Sequence, residues 1–306
     1  MSEWKKSIPL IGLLSPVTLL LAICLFIPLA IMVVFSILTP GMYGGVEWSY
    51  YSDNYGRILG WADGTQEEFD ILYLKIILTS FRIALMSVVI SLVICYPIAF
   101  WVRNKSPRIR NFLLFLITLP FFASLIVRLY AWVLILRPTG FLNTVLQTMG
   151  VIARPLDLIY TEQAVLIGMA YIYIPFMFLP VYASVERLDH HLIEASYDLG
   201  ANRVKTFFRV IFPLTLPGVI SGSIMVFIPS LGNFIVPSLL GGAKVVMIGS
   251  LIEQQFLSAR NWPFGAALAM LLMSMVLFAL LLYLYLSSRY SHAGAGGISS
   301  RRNDEE

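Results

Sequence analysis

Six long apolar runs dominate this chain, at about residues 10–38, 73–102, 112–136, 163–185, 214–236 and 264–288. Each meets the length a helix needs to cross a bilayer, about 20 residues at about 1.5 Å per residue. A backbone in lipid finds no water, so its peptide groups must bond within the segment, and the helix does this. Of the 306 residues 58% are hydrophobic and only 12% charged, whereas soluble domains carry about 25% charged residues. The expectation is an all-α membrane protein with six transmembrane helices. The first run follows Lys5 and Lys6 as a secretory signal would. It is longer than a signal core and ends at no small-residue cleavage site, so a retained first span is expected.

An even number of spans puts both termini on one side, and Lys and Arg decide which side. The segment from Arg103 to Arg110 carries Arg103, Lys105, Arg108 and Arg110 with no acid. The loop after the fourth span adds Arg187, Arg203, Lys205 and Arg209, and the tail adds Arg301 and Arg302. The segment from Thr39 to Leu72 instead holds Glu47, Asp53, Asp63, Glu67, Glu68 and Asp70 against Arg57 alone. Both termini are therefore expected in the cytoplasm, with the acidic segment outside. Its Tyr, Trp and Gly residues suit an interfacial aromatic belt, or a docking surface for an external solute-binding protein. Residues 291–306 read as a frayed cytoplasmic tail.

Several chemistries are disfavoured. Cys24 and Cys95 lie inside apolar runs and read as small buried hydrophobes. His190, His191 and His292 all lie outside the spans, which argues against an intramembrane metal site. Gly241-Gly242-Ala243-Lys244 lacks the spacing of a phosphate-binding loop, so no ATP site or other cofactor is expected on this chain. A net charge of +4, sorted by membrane side, suggests lipid and protein partners rather than nucleic acid.

The polar loop at 187–213 is the most particular stretch. Asp189 suits the N-cap of a short helix from His190, and Gly200 suits the left-handed turn that ends it. Asn202 suits the cap of a second helix, in which Val204, Phe207, Phe208 and Ile211 form one apolar stripe. Pro213 and Pro217 mark re-entry into the membrane, where an initial proline is tolerated. By composition the loop is either an amphipathic pair on the lipid surface or a docking element.

The run Glu194-Ala195-Ser196-Tyr197-Asp198-Leu199-Gly200, followed after nine residues by Val210-Ile211-Phe212-Pro213, resembles the "EAA" loop of bacterial ABC importer permeases. Ser196 replaces the second Ala of that pattern, Val210 its Ile and Phe212 its Leu. The resemblance implies a type I importer permease fold in which this loop is a cytoplasmic coupling helix, gripped by a separate ATPase. It assigns coupling to Glu194, Ala195, Ser196, Asp198, Gly200 and Pro213. ATP and Mg²⁺ would be used by two ATPase subunits, and the other partners would be a second permease and an extracytoplasmic binding protein.

Further segments narrow the resemblance to the first permease component of spermidine/putrescine-type systems. They include Leu125-Ile126-Val127-Arg128-Leu129-Tyr130-Ala131-Trp132, Tyr171-Ile172-Tyr173-Ile174-Pro175-Phe176-Met177 and Asn261-Trp262-Pro263-Phe264-Gly265-Ala266. The implied protein sits in the bacterial inner membrane and moves a polyamine or related small amine. Permeases for opines and amino-acid derivatives share the signature.

Within the spans, Arg82 and Arg128 both fall roughly 12–14 Å from the outer ends of their runs. An arginine at that depth is costly and normally faces the bundle interior, pairs or snorkels. Arg128 is expected in the interior, serving structure or the outer gate rather than ligand contact, since a guanidinium would repel a polyamine; Arg82 is left open. Pro229 and Pro237 bracket Gly232 and should break the fifth span, exposing carbonyls and Asn233 to a pathway. Tyr130, Trp132, Tyr171, Tyr173 and Phe234 would add aromatic faces for a cation. The expected organisation is 1–72 as first span and outer segment, 73–290 as permease core with the coupling loop, and 291–306 as tail. An ion-coupled secondary transporter is the rival, disfavoured because no acid lies near the middle of any run.

Overall fold

The computed structural model describes residues 2–61 and 69–295. Asp63, Glu67 and Glu68 of the acidic segment, and the tail from residue 296 with Arg301 and Arg302, lie outside the described residues. Among the described residues, six helices are long and apolar enough to cross a membrane. The chain divides into two compact units, Met1–Leu74 with Leu251–Met273, and Lys75–Ser250 with Ser274–Glu306.

In the first unit, helix α1 (Ser2–Ser36) leads into a small antiparallel hairpin of β1 (Leu38–Pro40) and β2 (Val46–Tyr50). Gly44 and Gly45 both take positive φ in its turn, a region open to glycine. Helix α2 (Asp53–Ile58) follows, and its fully buried Asn54 donates to the carbonyls of Ser36 and Leu38, each at 3.1 Å. That amide ties α2 to the open carbonyl at the end of α1 and to the first carbonyl of β1. Arg57, the one basic residue of the acidic segment, stacks its guanidinium over the Phe264 ring at 4.6 Å. The segment read as an aromatic belt and loop is thus partly regular structure.

The second unit begins within α3 (Leu72–Arg103) and continues through α4 (Pro107–Thr118), a 3-10 turn at Leu119–Phe122, α5 (Leu125–Leu136) and α6 (Phe141–Thr148). Then come α7 (Glu162–Glu186), α8 (His190–Asp198), α9 (Arg203–Thr206), a π-helical turn at Phe207–Ile211 and α10 (Phe212–Gly232). Helix α11 (Ile248–Leu257) and the final span α12 (Trp262–Ala295) complete the chain order, and their residues from Leu251 to Met273 belong to the first unit.

Helix α7 forms the middle of this unit, burying Met169, Tyr173, Met177, Val181 and Val185. Helix α10 lies against it through Gly218 and Gly222. A Cβ on Gly218 would run into Ser184 Oγ and the Pro180 carbonyl, and one on Gly222 would come within 2.9 Å of Met177 Sδ. Two glycines four residues apart remove the side chains from one face and let the backbones approach, as small residues do between membrane helices.

The third run departs from expectation. The continuous helix expected over 112–136 is interrupted after Thr118, and Ala123 and Ser124 are extended before α5 restarts. Pro120 lacks an N–H, so the α-helical bonding gives way to the 3-10 turn there while Leu119 before it stays helical, and the chain extends only at Ala123. The apolar helical span there is Leu125–Thr148 instead.

Candidate coupling loop and pathway residues

Helix α8 is built by local rules. The Asp189 carboxylate accepts from His191 N at 3.0 Å as its N-cap, an arrangement contributing about 1 kcal/mol in comparable helices. At the other end Gly200 takes φ +78°, with its N–H donating to Tyr197 O and that of Ala201 to Ser196 O. These two bonds close a Schellman turn, which satisfies carbonyls left open by the helix end. Asn202 then caps α9, its Oδ1 accepting from Lys205 N at 2.8 Å.

Ser196 is nearly buried beneath the turn, and its hydroxyl pairs with that of fully buried Thr206 at 2.9 Å. This contact clasps α8 to α9 across the Gly200 bend and fixes the angle between them. Thr206 was not singled out from sequence, since it falls off the apolar stripe. That stripe is itself corrected: Val204 and Phe208 are 65% and 64% exposed. Pro213 cannot donate to the helix ladder, and Phe212 N reaches back five residues to Phe207 O. The resulting π turn shifts the helical phase. Helices α9 and α10 run on through it, so the span is reached without a break at Pro213.

Glu194 stands on the open side of α8. Its carboxylate lies 3.6 Å from His190 Nε2 and 3.4 Å from His191 Nδ1, with all three side chains largely exposed. Leu192, Ala195 and Leu199 line a groove of about 360 Å³ with Arg209, Val210, Pro213 and Leu214. Leu199 is 89% exposed. Asp198 is exposed in the last turn of α8. Carboxylate, apolar groove and glycine bend together make a compact protrusion with a definite shape.

The pathway candidates fall into separate places. Helix α10 does break at Gly232, where Asn233 turns extended. Asn233 is held from both ends: Nδ2 donates to the Tyr173 hydroxyl at 2.9 Å, and Oδ1 accepts from Val236 N at 3.0 Å. Arg128 lies in the first turn of α5, its guanidinium carbon 5.9 Å from the centre of the Tyr171 ring, which Trp132 meets edge-on at 5.6 Å. Its buried Nε has no hydrogen-bond partner among the described residues. A cation at a helix N-terminus also faces the positive end of the dipole. Tyr130, Pro229, Gly232 and Phe234 are exposed on this chain. Arg82 instead forms an ion pair with Glu162 at the start of α7.

The Asn233 bridge yields an expected result. Asn233→Leu should strip both bonds, leave the Tyr173 hydroxyl unpaired and destabilise the fold by about 1–3 kcal/mol. Thermal unfolding of the detergent-solubilised chain measures this, and an unchanged midpoint would remove the bridge from the account.

The family described as "Binding-protein-dependent transport system inner membrane component" matches residues 96–292. The chain is 45% identical over 217 residues to the spermidine/putrescine transport system permease protein PotB of Haemophilus influenzae, covering 71% of this chain and 75% of that protein. It is 39% identical over 263 residues to the Escherichia coli protein of the same description, covering 86% and 92%. A crystal structure of a bacterial alginate ABC transporter, in complex with alginate pentasaccharide-bound periplasmic protein, contains a chain of similar fold. The TM-score is 0.72 at 16% identity, covering 94% of this chain and 96% of that one. On these matches the chain is a multi-pass inner-membrane protein and a transport subunit rather than an enzyme, and it belongs to the family of binding-protein-dependent transport system inner membrane components.

Proposed function

We propose that this chain is the first permease subunit of an ATP-driven importer for polyamines, spermidine and putrescine in particular. The observation that carries this is the 39% identity to a spermidine/putrescine permease along 86% of the chain. Its working partners are a second permease, two ATPase subunits that use ATP and Mg²⁺, and an extracytoplasmic binding protein that delivers the solute. Both termini and the loop at 187–213 face the cytoplasm, as the Lys and Arg distribution suggests. Residues 73–290 form the permease core, preceded by the first span and outer segment at 1–72 and followed by the tail at 291–306.

In this reading α8 is the coupling helix. Glu194, Ala195, Ser196, Asp198, Gly200 and Pro213 form or support the face that an ATPase grips. Closure of the two ATPases moves α8 as a rigid body, and the spans alternate between outward- and inward-facing states. Arg128, Tyr130, Trp132, Tyr173, Pro229, Gly232, Asn233 and Phe234 border the path. Arg128 serves gating or structure rather than ligand contact, because a guanidinium repels a polyamine.

Uptake of labelled spermidine by cells lacking this chain tests the solute. Accumulation should be lost, and should return on re-expression, while amino-acid uptake stays unchanged. Unaltered spermidine uptake combined with loss of an opine or amino-acid derivative would favour the alternative solute class on the same permease.

A further inference from the structure

The arginines of the Arg103–Arg110 segment mark a membrane side by their number, but two of them also hold defined partners at or just past the end of α7. Arg103, in the last turn of α3, donates through Nη2 to the carbonyl of Leu188. Arg110, in the first turns of α4, pairs its Nη1 with Glu186 Oε1 at 3.1 Å. Glu186 is the last residue of α7, and Leu188 immediately precedes Asp189, the cap of α8. Both arginines therefore close on the joint between α7 and α8.

The chemistry suits a clamp. Helices α3 and α7 end at this joint, and each presents unpaired carbonyls and the negative end of its dipole. Arg103 answers both, as a cation in the last turn of one helix and a donor just past the end of the other. Beneath it Val102, Val185 and Leu188 are buried, so the polar tie lies over an apolar seam. Arg110 extends the clamp to α4, whose Leu113, Leu114 and Ile117 pack partly buried against the core. Helix α4 leads through the break at Pro120 into α5, which carries Arg128 and Trp132.

We propose that Arg103 and Arg110 are positioning residues that carry the movement of α8 into α3, α4 and α5, by clamping the end of α7 at Leu188 and Glu186. Without them a push on α8 reaches α7 directly, while the α4–α5 arm follows only through apolar packing. With them the roots of three helices move together with α8. The proposal rests on the reading of α8 as the coupling helix. Partly exposed ion pairs add little to stability, so loss of the Arg110–Glu186 pair should act on coupling more than on folding.

The test uses the chain assembled with its partner permease, ATPases and binding protein in lipid vesicles, with labelled spermidine and ATP as probes. Arg110→Glu should lower the solute moved per ATP hydrolysed by about fivefold or more, the lower range of coupling effects between linked sites. The double exchange Arg110→Glu with Glu186→Arg should restore most of that ratio. Where Arg110→Glu reduces assembly, Arg110→Gln supplies the same comparison with a smaller change. An unchanged ratio in Arg110→Glu or Arg110→Gln would overturn the clamp. So would a proportional fall of uptake and hydrolysis that the exchange fails to repair. Glu194→Ala separates the two levels: if it abolishes stimulated hydrolysis while the Arg110 variants behave as wild type, the clamp fails and the coupling helix stands. If Glu194→Ala leaves stimulated hydrolysis intact, the coupling reading fails as well.

Discussion

Glu194→Ala combined with Gly200→Val should abolish solute-stimulated ATP hydrolysis by the assembled transporter while leaving the chain inserted in the membrane. Glu194 is an exposed carboxylate on the open face of α8, and among the described residues its side chain pairs only with its two exposed histidine neighbours. Its removal alters what a partner meets, not what holds the helix. Gly200 acts through the backbone. Nothing lies within 4 Å of a Cβ built there, so space is not the constraint, but φ is +78°. A non-glycine residue in that region costs about 1–2 kcal/mol, and a β-branched one is the least tolerant. The bend between α8 and α9 would shift, and the Ser196–Thr206 clasp would be pulled out of register. Coupling between linked sites spans about 5–150-fold, and the double variant should lose an effect of that size. Stimulated hydrolysis at the wild-type rate, in a complex assembled at wild-type yield, would contradict the assignment.

Gly218→Leu should be worse for the chain itself. Helices α7 and α10 approach so closely at this point that even a Cβ meets Ser184 Oγ and the Pro180 carbonyl, and a backbone carbonyl has no alternative rotamer. A leucine must force the helices apart, and overpacking of this kind costs about 1–3 kcal/mol and occasionally more. The separation would spread to the buried neighbours Met177 and Val181 and loosen the middle of the second unit. The expected outcome is loss of monodisperse protein on size-exclusion chromatography. Met225→Ala, an exposed change on the same helix, should behave as wild type. A Gly218→Leu chain with unchanged yield and thermal stability would show that the α7–α10 contact does not support the fold.

What the sequence made legible was local. Asp189, Gly200 and Asn202 signal helix ends through their own side chains or their own φ, and the structure places them at such ends. The break after Gly232 is likewise a proline and glycine effect within one segment. The interruption at Pro120 escaped because hydropathy averages over a proline set among phenylalanines and leucines. The Val204–Ile211 stripe failed for a subtler reason: it assumes 3.6 residues per turn, and the π turn before Pro213 breaks that period. Gly218-Val219-Ile220-Ser221-Gly222 is a small-residue helix-packing pattern carried openly by the sequence, and hydropathy alone does not distinguish it from the rest of its span. Pairings such as Arg82 with Glu162 and Arg110 with Glu186 join residues far apart in sequence, and no spacing rule encodes them. The hairpin at 38–50 was obscured by its aromatic content, which suits an interface as well as a strand.

The central claim, that this chain passes a polyamine inward at the expense of ATP used by partner subunits, is tested most directly by reconstitution. The complete complex is placed in lipid vesicles with ATP and Mg²⁺ on the side of α8 and the loaded binding protein on the other. Labelled spermidine should accumulate only when ATP is hydrolysed, with or without a proton or sodium gradient. Accumulation driven by an ion gradient without ATP, or ATP hydrolysis that never moves spermidine, would contradict it.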